Sequence, residues 1–249
     1  MARFIRFTLF SFLLCLVFLI PYGFAANRVV YENFDNKSTG VLIPEKGAAP
    51  YELSPPQYNL DQVGRGGSGY CYSSGTLNEA FLMYYPSKWP TDEFYVSCWL
   101  RFPRYREQYS MENIKMFYPH WDGANSYVHY SLADANTIYY SARDKNQIML
   151  SESNWLSCPG MTDGNWHRYE FYVNFATGGS KFWYDGAIKV NNNFGSGKWT
   201  NAIYYITIGS VDAQDASDFS RQFDDVEFWD GMPDTTAAPK PPTGLKIVN

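Results

Sequence analysis

The chain has 249 residues with 20 basic and 25 acidic side chains, a formal charge of −5, and so lacks the basic surplus that a broad nucleic-acid or anionic-membrane surface needs. Its 21 Tyr, 18 Phe and 8 Trp exceed what one core of this size uses, so many rings are expected at least partly exposed. The cysteines form no CxxC pair and no Cys/His spacing suited to zinc, which argues against a zinc site.

In chain order, Arg3 and Arg6 precede an apolar run, Phe7–Ile20, that is short for a bilayer span. Gly23 and Ala25 then supply the small residues a signal peptidase prefers. Residues 1–25 read as a signal peptide, residues 26–233 as one domain, and residues 234–249, with Pro239-Lys-Pro-Pro242, as a proline-rich extended tail. Loss of Arg3 and Arg6 with the leader moves the charge from −5 to −7. The expected product is secreted, extracellular or periplasmic, and free of the membrane after cleavage. Cys15 leaves with the leader, and the odd number remaining, Cys71, Cys98 and Cys158, allows at most one internal disulfide and leaves a thiol for intermolecular contact.

The rest is short alternating stretches punctuated by Gly, Pro, Asn, Asp and Ser. Strands are predicted at Arg28–Phe34, Gly69–Ser73, Ala80–Tyr85, Glu93–Phe102, Asn113–Tyr118, Tyr127–Leu132, Thr137–Arg143 and Ile148–Ser151. Five more follow at His167–Phe175, Lys181–Tyr184, Ala187–Val190, Tyr204–Gly209 and Gln222–Trp229. No long segment carries a helical period. Phe94, Val96, Cys98, Leu100 and Phe102 alternate onto one face, leaving Tyr95, Ser97, Trp99 and Arg101 on the other. Tyr169, Phe171, Val173 and Phe175 likewise turn inward, leaving Arg168, Glu170, Tyr172 and Asn174 opposite. Asp185-Gly186 is a strong two-residue hairpin signal. Many short antiparallel strands predict an all-β barrel or sandwich.

Five segments in order, Glu93–Phe102, Asp163-Gly-Asn-Trp-His-Arg-Tyr-Glu-Phe-Tyr-Val173, Phe182-Trp-Tyr-Asp-Gly186, Ile206-Thr-Ile-Gly209 and Phe223-Asp-Asp-Val-Glu-Phe228, resemble the concanavalin A-like lectin and glucanase superfamily, which includes laminin G-like modules and polysaccharide lyases. The resemblance implies a two-sheet antiparallel jelly-roll sandwich whose concave sheet holds a glycan. It also implies a structural calcium ion tying the first strand to the last, with Asp224 in the closing strand and Glu32 and Asp35 as further oxygen donors. Asp224 and Asp225 have a plainer reading as charges that protect an edge strand.

The hydrolase branch of that superfamily carries paired carboxylates as E-x-D-x-x-E or E-x-D-x-E, and no such motif occurs here, which disfavours glycoside hydrolysis. A lyase needs a group to neutralise a uronate carboxylate, a base and an acid, and Arg101, Lys115, Tyr127 and His129 are candidates for these roles. The lyase strand motifs are only partly echoed, by Leu100-Arg-Phe-Pro-Arg-Tyr-Arg106. The first expectation is therefore a secreted carbohydrate-binding sandwich with Trp99, Tyr127 and Tyr172 as stacking rings and Arg101, Lys115 and His129 as polar grip. The alternatives are a lyase acting on an acidic glycan through the same groove, and a structural or adhesive extracellular subunit. His167 reads as a structural residue of the Trp166-His pair, and His120 as a turn residue at the groove rim.

Overall fold

The computed structural model describes residues 26–32, 51–53, 71–74, 82–84, 92–104, 114–121, 127–200, 203–211 and 220–234. These contain fourteen strands and no helix: β1 (Arg28–Glu32), β2 (Tyr51–Leu53), β3 (Cys71–Ser74), β4 (Leu82–Tyr84), β5 (Glu93–Arg104), β6 (Ile114–Trp121), β7 (Val128–Asp134), β8 (Thr137–Arg143), β9 (Met149–Ser157), β10 (His167–Asn174), β11 (Gly179–Tyr184), β12 (Ala187–Asn193), β13 (Ile203–Val211) and β14 (Ser220–Trp229).

All pairings are antiparallel, and they build two seven-stranded sheets. The first runs β1-β14-β5-β10-β11-β12, with β3 also on β14; the second runs β2-β4-β13-β6-β7-β8-β9. The fold is thus the expected all-β, two-sheet antiparallel jelly-roll sandwich. Because β14 pairs with β1, β3 and β5, the first sheet is assembled only when distant parts of the chain meet.

The core lies between the sheets and follows the period-two alternation. Phe94, Val96, Cys98, Leu100 and Phe102 of β5 and Tyr169, Phe171 and Val173 of β10 are all buried. Phe171 stacks on Phe117 of the second sheet at 4.8 Å and on Phe182 at 5.1 Å. Each such ring stabilises by roughly 1.5–3 kcal/mol on burial. Two hydrogen bonds cross the core between the sheets: Tyr130 Oη with Ser180 Oγ at 2.9 Å, and Asn192 Nδ2 to Tyr140 Oη at 3.2 Å. They satisfy hydroxyls that would otherwise be buried without partners.

Asp185 and Gly186 form the predicted hairpin turn with φ of 47° and 76°, joining Tyr184 to its partner Ala187. The structure adds two things to the predicted strands. β2 was not expected, and β9 continues to Ser157, beyond the predicted end at Ser151. A register shift opposite Ile138–Tyr140 breaks the alternation of β9, which is why its second half does not read as a strand.

Candidate functional site

The two outward sheet faces differ in chemistry. On the first sheet, β5 and β10 pair Trp99 with Arg168, Ser97 with Glu170, and Tyr95 with Tyr172. Several of the charges there are paired with neighbouring side chains. Glu170 accepts from Tyr95 Oη and lies 3.2 Å from Arg168. Glu93 accepts from Tyr172 Oη at 2.5 Å and Asn174 Nδ2 at 2.8 Å, while Glu227 accepts from Arg28 and from Trp229 Nε1, each at 3.0 Å. Burial, then the Glu93 carboxylate, pushes the Tyr172 hydroxyl up to about 12. This face is a carboxylate–aromatic lattice that locks neighbouring strands together.

The second sheet gathers a different set. His129 of β7 lies between Tyr118 of β6, with ring centroids 5.7 Å apart, and Tyr139 of β8, at 5.2 Å. Lys115 Nζ stands 5.9 Å from the Tyr118 ring centroid. Tyr139 Oη donates to Glu152 Oε1 of β9 at 2.7 Å. Burial, then Lys115 and Arg143, pushes the His129 imidazolium down to about 4, so the ring is neutral at ordinary pH. Burial and the Glu152 hydrogen bond raise Tyr139, which keeps its proton. Beside them Ser131 pairs with Lys115 and Tyr139, and its fully buried hydroxyl finds no partner among the described residues. A neutral base, phenolic hydroxyls and two cations on one face can grip an anionic ligand and exchange protons with it.

The six predicted carbohydrate-binding residues do not share one groove. Trp99, Arg101 and Tyr172 belong to β5 and β10 of the first sheet, Lys115 and His129 to β6 and β7 of the second. Tyr127 lies on neither outer face. It is a bend residue whose ring is 8% exposed in the core, with its hydroxyl 3.2 Å from Thr200 Oγ1. The alternation that placed it beside His129 fails because the strand begins one residue later. Of the expected set, Lys115 and His129 meet on the second sheet, while Trp99 and Arg101 share one face of β5 on the first. Tyr118, Tyr139 and Glu152 join Lys115 and His129; of these only Tyr139 could be placed from sequence, by folding Tyr127–Leu132 and Thr137–Arg143 into one hairpin over Asp134-Ala-Asn136, since His129 then faces Ser141 and Ser131 faces Tyr139.

Cys98 and Cys158 are free thiols wholly within the core, so neither reaches another molecule; the side chain of Cys71 lies outside the described residues. His167 has the structural role expected of it: Nδ1 lies 2.7 Å from Asp185 and Nε2 3.2 Å from Asp163, tying the loop before β10 to the β11–β12 turn. His120 has no described side chain.

Of the residues expected to hold calcium, only Asp224 has a described side chain. Asp224 is fully buried at a bulge where Asp225 has φ 45°, and its carboxylate accepts the Asp225 N–H at 2.9 Å. Glu32 pairs through its backbone with Val226, two residues on, although its side chain, like all of Asp35, lies outside the described residues. Among the described residues no group of three His, Cys, Asp or Glu gathers at one point. Carboxylate oxygen is the donor chemistry a hard cation takes.

Fold and faces together define a two-sheet antiparallel jelly-roll sandwich whose two outer faces differ in chemistry. No protein-family model matches the chain, and no curated protein sequence matches it. Solved structures do. The binding domain of Paraclostridial Mosquitocidal Protein 1 aligns with a TM-score of 0.57 at 12% identity over 84% of this chain and 50% of that one. The endo-β-1,4-glucuronan lyase of the fungus Trichoderma reesei aligns with a TM-score of 0.54 at 14% identity, over 81% of this chain and 95% of that one. Cellulose induced protein Cip1 aligns with a TM-score of 0.51 at 14% identity, over 80% and 96%. The chain spans about half the length of the toxin binding domain and nearly all of the other two. At these identities the likeness establishes the shared sandwich.

Proposed function

We propose that this protein binds an acidic polysaccharide on the outer face of the second sheet, with Tyr118, His129 and Tyr139 as the floor and Lys115 and Arg143 as the cations that receive its carboxylates. The observation that carries the reading is the His129 imidazole held neutral between two tyrosine rings beside Lys115. Aromatic faces take the C–H faces of sugars, and neutral imidazole and phenol exchange hydrogen bonds with hydroxyls. Many polar groups of the first face are paired with one another, which favours the second. Residues 1–25, outside the described residues, support secretion, which would bring the domain to extracellular glycans. Asp224, with Glu32 and Asp35, would hold calcium as a structural ion remote from this face.

A second reading, β-elimination on a uronate chain, is favoured by one specific feature: His129 is unprotonated while Tyr139 keeps its proton. The imidazole would take the C5 proton, the released electron pair would form the C4–C5 double bond as the C4–O bond breaks, and a tyrosine hydroxyl would protonate the leaving oxygen, with Lys115 neutralising the carboxylate. The fold shared with a glucuronan lyase over 81% of this chain is compatible with that chemistry. Of the four residues expected for a lyase, only Lys115 and His129 remain in this scheme.

The test is affinity-gel retardation and unsaturated-uronate absorbance on a panel of uronate-containing and neutral polysaccharides. Binding is expected on acidic chains, lost in His129→Ala and weakened by salt. Absorbance that grows with time and disappears in His129→Ala selects the lyase. Retardation that survives His129→Ala while Trp99→Ala abolishes it would move the site to the first sheet and sink the proposal.

A further inference from the structure

The second face extends beyond the cluster around His129. Leu156 of β9 pairs with the core residue Ile138 and packs against the core itself, whereas Trp155, in the bulge opposite Tyr139, is exposed and so lies on the outward side. It stands on the same strand as Glu152, the acceptor of the Tyr139 hydroxyl. Trp155 is 70% exposed, more than any other large hydrophobic side chain described.

A single exposed ring is unremarkable on its own. What distinguishes Trp155 is its alignment. Tyr118 on β6, His129 on β7, Tyr139 on β8 and Trp155 on β9 place one ring on each of four neighbouring strands, with successive contacts of 5.7 and 5.2 Å over the first three. The row crosses three strand intervals, about 14 Å, perpendicular to the strands. That is a platform for an extended chain and not for one small ring. Trp155 ends it on β9, the edge strand of the sheet. Its exposed strand neighbours Glu152 and Ser157 are polar, which suits a hydroxyl-rich ligand better than the apolar centre of a protein interface. The charge that selects the occupant comes from Lys115 and Arg143, both of which act on His129.

We infer that Trp155 is the outermost stacking subsite for a linear acidic polysaccharide lying across β6 to β9, so that affinity rises with chain length until the chain reaches this indole. The inference rests on the reading that the second face binds glycan. It assigns a length-sensing role to a residue that takes no part in the proton chemistry.

Calorimetric titration of the protein with glucuronan oligomers, a dimer and an octamer, tests it. Trp155→Ala is expected to weaken octamer binding roughly tenfold, the scale of one aromatic stacking contact, and to leave dimer binding unchanged. Trp155→Phe should retain most of the octamer affinity. Ile188→Ala, a truncation of an exposed apolar side chain on β12 of the other sheet, should change neither. Equal octamer affinity in wild type and Trp155→Ala overturns the inference while leaving the binding site standing. The same holds if Trp155→Ala abolishes concentration-dependent self-association but not octamer affinity, since the ring would then serve contact with a second copy. If wild type binds no oligomer of either length, the glycan reading itself falls and this subsite with it.

Discussion

Two histidines illustrate how position alone sets opposite chemistry. Burial and the nearby cations Lys115 and Arg143 push His129 down to about 4. Burial also works to lower His167, but hydrogen bonds and charge from Asp185 and Asp163 outweigh it and raise the imidazole. The consequences for stability have opposite signs. His129 binds its proton more weakly folded than unfolded, so its contribution makes the protein less stable as pH falls from about 6.5 towards 4. His167 binds its proton more strongly folded, so its stabilisation is complete below about 6.5 and is lost as pH rises through its folded value. An NMR titration of the imidazole resonances is expected to place His129 well below and His167 above a free histidine. Coincident midpoints would show that neither environment is as described, and a His129 that titrates normally would remove the neutral base on which the lyase reading depends.

Among the elements, the β10–β11 hairpin is fixed by backbone geometry as much as by packing. Gly178, with φ 72°, lies where an added Cβ would meet the carbonyl oxygen of Gly195 at 2.6 Å, and Phe194 N–H donates to the Gly178 carbonyl at 3.0 Å. The close approach seats the segment after β12 against this turn. Gly178→Ala combines a left-handed φ with a backbone clash and is expected to destabilise by about 1–3 kcal/mol in urea denaturation. Gly186→Ala, also at positive φ but with nothing near its Cβ, should cost less. Equal effects would mean that the approach to Gly195 contributes nothing. β9 makes the complementary point: its bulge turns an otherwise ordinary edge strand so that both Glu152 and Trp155 face the proposed ligand.

At the scale of the molecule, both sheets depend on contacts between distant parts of the chain. β14 holds β1, β3 and β5 together, and its bulge carries the buried Asp224. If calcium binds there through Asp224, Glu32 and Asp35, it joins the two ends of the domain, and binding to the folded state alone must stabilise it. Chelation with EDTA is then expected to lower the melting temperature, calcium to restore it, and Asp224→Asn to abolish the difference. A melting curve indifferent to both additions would remove calcium from the account. The separation of roles between the faces also predicts that such a stability change leaves glycan affinity intact wherever the domain remains folded.

The all-β class, the inward residues of β5 and β10 and the Asp185-Gly186 turn were legible in the sequence because each is set by local rules: alternation with period two, and a turn that needs positive φ at both positions. Lys115 and His129 were legible as candidates by residue type. Their company was not, because face membership depends on which strands pair and in what register, and a one-residue difference in where β7 begins puts Tyr127 in the core. Trp99, Arg101 and Tyr172 were separated from His129 by sheet assignment, a long-range property of chain topology. Trp155 escaped notice because the β9 bulge erased the alternation that would have marked it. The sequence by itself determined what kinds of surface the strands carry; only the tertiary structure decided which surfaces coincide, since strand partners far apart in the chain are chosen by the shared core and not by their neighbours in sequence.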